Sequence, residues 1–266
     1  MRHFFLGHLC LRHLCLASLL AVAAAPSARA ASILIDFGNA STFRGVTSPG
    51  NWNSVAFGYT ANLIDTSGSA TTIDWAPDGL GDTDSYNSLI GPTTNPPTSG
   101  EIAQAQAKLN VGTLGNLALG EAAIDFFKSN NGTTNVGRFQ LQQMIPGQLY
   151  NLTFYGSKQY VAAGNEQTRY SVFDDSGYSN LLATGTLVVG TTNDTGNPGS
   201  TVTLSNLVGP SNANNIFYVQ WEGVNNTAEG FINSMEIQPV PEPSTSVLLG
   251  LACVALAGLS RRRSPK

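Results

Sequence analysis

The chain has 266 residues, 13 of them basic and 17 acidic, for a net charge of −4. Charged residues make up only 11% of it, against about a quarter in typical globular proteins. His3, His8, His13, Cys10 and Cys15 lie in the first fifteen residues and Cys253 in the last fifteen, so the chain between offers no disulfide, no Cys/His zinc site and no His-dependent triad.

The first element is an export signal. Arg2 opens a basic region, Leu14 to Ala25 supplies an apolar stretch, and Ala28-Arg29-Ala30 is an Ala-x-Ala cleavage site. Removal of residues 1–30 leaves a mature chain beginning at Ala31. Between Ala31 and Pro241 stand six cations and sixteen acids, a net of −10, which excludes the basic footprint of a nucleic-acid binder. A domain spanning 31–238 is long enough to bury a core without covalent staples.

Within it, Ile33-Leu34-Ile35-Asp36-Phe37 reads as an apolar first strand stopped by Gly38-Asn39. Ser48-Pro49-Gly50-Asn51 is a turn presenting Trp52, and Thr71 to Trp75 reads as a strand. Pro77 to Ser99 reads as the longest loop of the domain. Thr98-Ser99-Gly100-Glu101 fits a capping box, and Ile102, Ala105 and Leu109 recur at helical spacing, which predicts a helix over 99–109. Leu114 to Phe127 fits helix and strand equally.

The β signal is clearer from there on. Phe139 and Leu141 alternate with Gln140 and Gln142, Ile145-Pro146-Gly147 turns the chain, and Tyr150 to Tyr155 alternates again. Further strands are predicted over 168–173, 181–189, 201–204, 216–221 and 231–237, separated by Gly-, Asn- and Asp-rich turns. Many short strands with few helices describe a mainly β protein, an antiparallel β-sandwich.

Four acids, Asp74, Asp78, Asp82 and Asp84, share a glycine-rich stretch. Carboxylates on a turning backbone can ligate Ca²⁺, and Asp78, Asp82 and Asp84 are the candidate ligands; solvated turn acids are the plain alternative. Among the aromatic residues, Trp52 and Tyr160 lie beside Gly- or Ala-rich turns and are candidates for stacking on sugar rings; Trp75 and Tyr178 also qualify, and Trp221 reads as core. An enzyme built on this chain would work through a carboxylate pair drawn from Asp36, Asp125, Glu166, Glu222 and Glu229, and Arg169 is expected to pair with Glu166, three residues away. No catalytic residue is assigned. Ice binding wants a flat, repeated threonine array, which the isolated pairs Thr184/Thr186 and Thr201/Thr203 do not supply.

The last element is the tail. Val240-Pro241-Glu242-Pro243 is followed by Ser244-Thr245-Ser246, an apolar run Val247–Leu259 and the cluster Arg261-Arg262-Arg263. The run suits hydrocarbon as a helix, and the arginines after it belong on the cytoplasmic side, which places the preceding domain outside. This order of parts over 239–266 resembles the PEP-CTERM sorting signal of Gram-negative bacteria. That resemblance implies recognition near Pro241-Glu242-Pro243 by a membrane-embedded exosortase, transient anchoring in the inner membrane, and delivery to the cell surface or exterior. The stretch Pro146-Gly147-Gln148-Leu149-Tyr150-Asn151-Leu152-Thr153-Phe154-Tyr155-Gly156-Ser157, with Thr168 to Val172 and Gly230 to Ile237, resembles exported proteins with galactose-binding-like jelly-roll cores. Where Lys158 stands, such proteins often carry arginine, so a bidentate ion pair is not expected there.

The expectation is thus an exosortase-processed surface or matrix protein whose jelly-roll domain binds polysaccharide and is not catalytic. A secreted carbohydrate-active enzyme is the alternative. No cofactor beyond Ca²⁺ is implied.

Overall fold

The computed structural model describes residues 31–79, 82–84, 88–129, 136–159, 166–191, 195–224 and 229–241, with the backbone course alone at 82–84 and 195. The signal region and the tail beyond Pro241, including Ala28, Ala30, Glu242, Pro243 and Arg261 to Arg263, lie outside the described residues. Residues 31–240 form one unit.

Two sheets enclose the core. One has the order β11 (Val202–Val208), β7 (Leu149–Tyr155), β14 (Ser234–Pro239), β1 (Ile33–Phe37), β2 (Trp52–Val55). It is antiparallel except for its β1–β2 pair, where Leu34 lies beside Trp52 in parallel register. The other is wholly antiparallel, in the order β10 (Thr195–Gly196), β9 (Leu181–Thr191), β8 (Glu166–Phe173), β12 (Phe217–Val224), β6 (Val136–Gln142), β3 (Asp74–Pro77). A small third sheet joins β13 (Phe231–Ile232), β5 (Phe126–Lys128) and β4 (Asp82–Asp84). The last of these lies within the stretch read as the longest loop: Asp82 to Asp84 pair with β5 instead of turning.

Alternation decides which side chains meet between the sheets. Phe139 and Leu141 of β6, Tyr170 and Val172 of β8, and Val219 and Trp221 of β12 face Ile35, Phe37, Leu152, Phe154, Met235 and Ile237 from the opposite sheet. Phe154 stacks on Tyr170 at 4.7 Å, and Phe37 meets Phe139 at 5.3 Å. Trp221 has room because its register partner is Gly137: a Cβ there would lie 2.2 Å from the indole.

β1 is buried on both faces, which is why its sequence is almost unbroken apolar. Its outer face carries Leu34, which joins a second cluster with Leu89, Leu109, Leu114, Leu117, Ala123 and Tyr155. The helices α1 (Ser99–Lys108), α2 (Val111–Leu114) and α3 (Gly120–Ala123) and a 3-10 turn at Gly115–Leu117 build that layer, so the ambiguous stretch from Leu114 is helical before it enters β5. The capping box at the start of α1 forms as expected: Thr98 Oγ1 accepts from the Glu101 amide at 3.2 Å, and Glu101 accepts from the Thr98 amide at 2.8 Å.

The single strand read over 231–237 is two, divided at Asn233. This residue is fully buried and accepts from the Ser157 amide through Oδ1 at 2.7 Å. Its Nδ2 donates to Asp125 O at 2.5 Å and to Ala123 O at 3.4 Å. One side chain thereby pins the chain where it passes from the small sheet to the main one.

Candidate functional site

The outward face of the six-stranded sheet gathers polar and aromatic side chains in cross-strand rows. Tyr218 stands between Phe173 and Gln140; Gln220 stands between Ser171 and Arg138; Glu222 stands between Arg169 and Val136. The rows continue into β9 through Thr184 beside Ser171 and Thr186 beside Arg169. Opposed residues in an antiparallel pair point to the same side, so these groups share one surface. Gln140, Gln142, Tyr218, Gln220 and Glu222 are half-buried and Arg169 is exposed.

Hydrogen bonds hold their planes. Arg138 Nε donates to Gln220 Oε1 at 3.1 Å, and Gln142 Nε2 donates to Gln140 Oε1 at 2.7 Å. Arg169 donates through both Nε and Nη2 to Glu222 Oε1, at 3.0 and 2.7 Å. This corrects the expected Arg169–Glu166 pair. Residues three apart on a strand point to opposite faces, whereas Glu222 lies directly opposite Arg169.

Tyr178 overhangs the same face. It lies in the loop between β8 and β9 with φ at +54°, a left-handed conformation that costs a non-glycine residue energy unless its surroundings enforce it. Asp175 enforces it by accepting from the amides of Gly177, Ser179 and Asn180 and from the Ser179 hydroxyl. Those bonds hold the Asp175 carboxyl below its ordinary range. The Tyr178 ring lies under the Arg138 guanidinium, 4.1 Å from its carbon, and meets Phe173 and Tyr218 edge-on. Its hydroxyl donates to Asp78 Oδ2 at 2.7 Å, and Gln140 Nε2 donates to the same oxygen at 3.0 Å. Burial, then the Asp78 carboxylate, raises the phenol above its ordinary range.

The result is a surface of pre-oriented amides, one stacked guanidinium and phenol rings. Such groups recognise hydroxyls and the apolar faces of sugar rings.

The other candidates are dispersed. Trp52 is half-buried and packs against the Leu34 cluster, whereas Trp75 and Trp221 are in the core; Tyr160 lies outside the described residues. Asp74 is buried, accepting from the Asn62 amide at 2.7 Å and from Tyr59 and Gln143. Asp78 serves Tyr178 and Gln140, while Asp82 and Asp84 are described in backbone only, within β4. Among the described residues, no group of three or more His, Cys, Asp and Glu side chains is placed to hold a metal ion.

Asp36 and Asp125 adjoin each other, both buried. Lys158 Nζ lies 3.2 Å from Glu166 Oε1 and 3.9 Å from Glu229 Oε2, over the Phe231 ring. The two carboxylate oxygens are thus no more than ~7 Å apart, with Lys158 between them. Burial raises the Glu166 carboxyl, and Lys158 opposes that rise. Exposed Phe43, Phe57 and Tyr59 were not singled out from the sequence; nor were Arg138, Tyr218 and Gln220, whose grouping depends on strand register.

Residues 239–264 match the family model of the PEP-CTERM protein-sorting motif. The chain therefore carries a signal of exported proteins sorted to the cell surface or exterior. No curated protein matches it. Among solved structures, Bacteroides uniformis beta-glucuronidase 2 covalently bound to cyclophellitol-6-carboxylate aziridine overlaps 80% of this chain at 10% identity and a TM-score of 0.38. This chain spans only 18% of that enzyme's length. TmCBM61 in complex with beta-1,4-galactotriose overlaps 44% of this chain and 70% of its own, at 12% identity and a TM-score of 0.24. A non-crystalline cellulose specific carbohydrate-binding module, CBM28, overlaps 44% and 74%, at 10% identity and 0.25. The sandwich itself is defined by the strand order and shared core described above.

Proposed function

We propose that this chain is an exosortase-processed surface or matrix protein whose β-sandwich binds an extracellular polysaccharide on the outward face of its six-stranded sheet. The observation that carries the binding reading is the Tyr178–Arg138–Gln220 assembly, a ring, a guanidinium and an amide held in fixed planes on a partly exposed sheet face. Pre-organisation of this kind lowers the entropy cost of binding. With Arg169 paired to Glu222 and the domain acidic overall, the ligand class that suits the face is a neutral glycan. In this reading the tail anchors the chain in the inner membrane until cleavage near Pro241-Glu242-Pro243.

A glycan array followed by calorimetry on any hit tests it. Tyr178→Ala and Gln220→Ala are expected to weaken binding at least tenfold while the protein still melts cooperatively. Binding that survives both substitutions, or no glycan hit at all, would overturn the reading. The carboxylate-pair alternative is favoured by the proximity of Glu166 and Glu229. Release of reducing sugar from a bound glycan, abolished by Glu166→Gln, would establish it over simple binding.

A further inference from the structure

The chain leaves the sandwich beside an apolar row. The Val240 amide donates to Leu149 O at 2.8 Å, and Leu149 is the register partner of Val208. Val208, Leu149 and Val240 therefore lie side by side across β11, β7 and the residue after β14. Val208 is 58% exposed and Leu149 36%, with Val240 half-buried. Ile145, 57% exposed, sits next to the row in the turn before β7, its carbonyl against Gly209.

Single exposed apolar residues need no explanation, but a contiguous set at one edge does. The chain carrying Ile145, Leu149 and Val208 is uncharged: residues 139–157 and 202–221 contain no Asp, Glu, Lys or Arg. Position supplies the second argument. The apolar run begins at Val247, seven residues beyond Val240, and seven extended residues reach at most ~25 Å. Whenever that run is in a bilayer, Val240 lies within ~25 Å of its start.

We propose that Ile145, Leu149, Val208 and Val240 form a membrane-surface contact that rests the sandwich on the lipid face while the tail is inserted, steadying the Pro-Glu-Pro segment for cleavage. The proposal rests on the sorting reading of the tail. Interfacial binding grows with apolar area and with attraction of cations to anionic lipid. Residues 139–157 and 202–221 hold no cation, so the contact needs no anionic lipid, and on zwitterionic lipid it is insensitive to salt.

The test uses the full chain in zwitterionic vesicles, with Cys10, Cys15 and Cys253 replaced by Ser. A fluorophore is placed at Val208→Cys or, for comparison, at Ser200→Cys beyond the opposite end of β11. Lipids carrying a quencher near the headgroup are expected to quench the first label several-fold more than the second, equally at low and high salt. Equal quenching at both positions would overturn the contact. In the native host, combined Ile145→Ser, Leu149→Ser and Val208→Ser is expected to slow conversion of precursor to processed protein several-fold, with an unchanged melt confirming the fold. Conversion at the unaltered rate would overturn the steadying role. If the unaltered chain is itself never processed, the sorting reading has failed instead, and the quenching comparison still decides whether the edge touches lipid.

Discussion

Asp36 and Asp125 are neighbouring carboxyl groups buried at 0% and 1% exposure, each close enough to shift the other's protonation. Asp36 stands on β1 and Asp125 just after α3, held there by the Val46 amide, which donates to its Oδ2 at 3.2 Å, while Ser54 Oγ donates to Asp36 Oδ2 at 3.0 Å. Burial pushes Asp36 up to about 8. Burial, then the neighbouring Asp36 charge, pushes Asp125 well above its usual value. Two like charges cannot both ionise in so dry a place, so the pair holds a proton at neutral pH.

That proton sets the sign of a pH dependence. Both folded values lie above the unfolded ~3.9, so the folded state binds more protons and stability falls as pH rises. The contribution of Asp36 is complete below about pH 4 and is lost as pH rises through about 8, and Asp125 acts in the same direction. The slope per proton is about 1.4 kcal/mol per pH unit. Asp36→Asn keeps an acceptor for Ser54 and removes one ionisable group. It is expected to flatten the fall and to melt above the unaltered protein at pH 8. Parallel melting curves from pH 5 to 8 would contradict the shared proton.

Asn233 is the next residue to change. Asn233→Ala leaves the Ser157 amide and the Asp125 carbonyl without their partners, at about 1–3 kcal/mol for each buried group stranded. Denaturant unfolding is expected to show a loss of several kcal/mol with an unchanged m-value. A loss under 1 kcal/mol would show that water replaces the side chain.

Asp78 is expected to act as a hydrogen-bond acceptor and not as a Ca²⁺ ligand. EDTA or added Ca²⁺ should leave the melting temperature unmoved, because a ligand bound only to the native state must raise it. Asp78→Ala should lower it by releasing Tyr178 and Gln140. A melt that falls with chelator would restore the calcium reading for Asp78, Asp82 and Asp84.

Reductant is expected to change nothing. No cysteine lies between Ala31 and Pro241, so a midpoint lowered by dithiothreitol would contradict the cysteine-free core.

The mature protein is expected to lack Val247–Lys266. Two prolines around one glutamate make a stiff segment with missing donors that can join neither sheet nor helix. Replacing Pro241-Glu242-Pro243 with three alanines should leave full-length protein in the inner membrane. Intact-mass measurement on the host's surface protein decides between the readings: a species still ending at Lys266 would favour a plain anchor.

What was legible in the sequence is what local pattern carries. Alternation at Phe139–Gln142 put Gln140 and Gln142 outward, Thr98 and Glu101 announced the start of α1, and the ordered parts of the tail identified the sorting motif that 239–264 matches. Each signal sits within a few residues of chain, where propensity and side-chain period act directly. Tertiary structure decided which distant residues became neighbours. Arg169 meets Glu222 because β8 and β12 pair in one register, and a slip of one residue would send every side chain to the other face. Tyr178 reaches Arg138 only across a loop that Asp175 holds, and Asp36 meets Asp125 only once α3 packs on the outer face of β1. Those encounters depend on strand order and layer packing, which the linear sequence does not display.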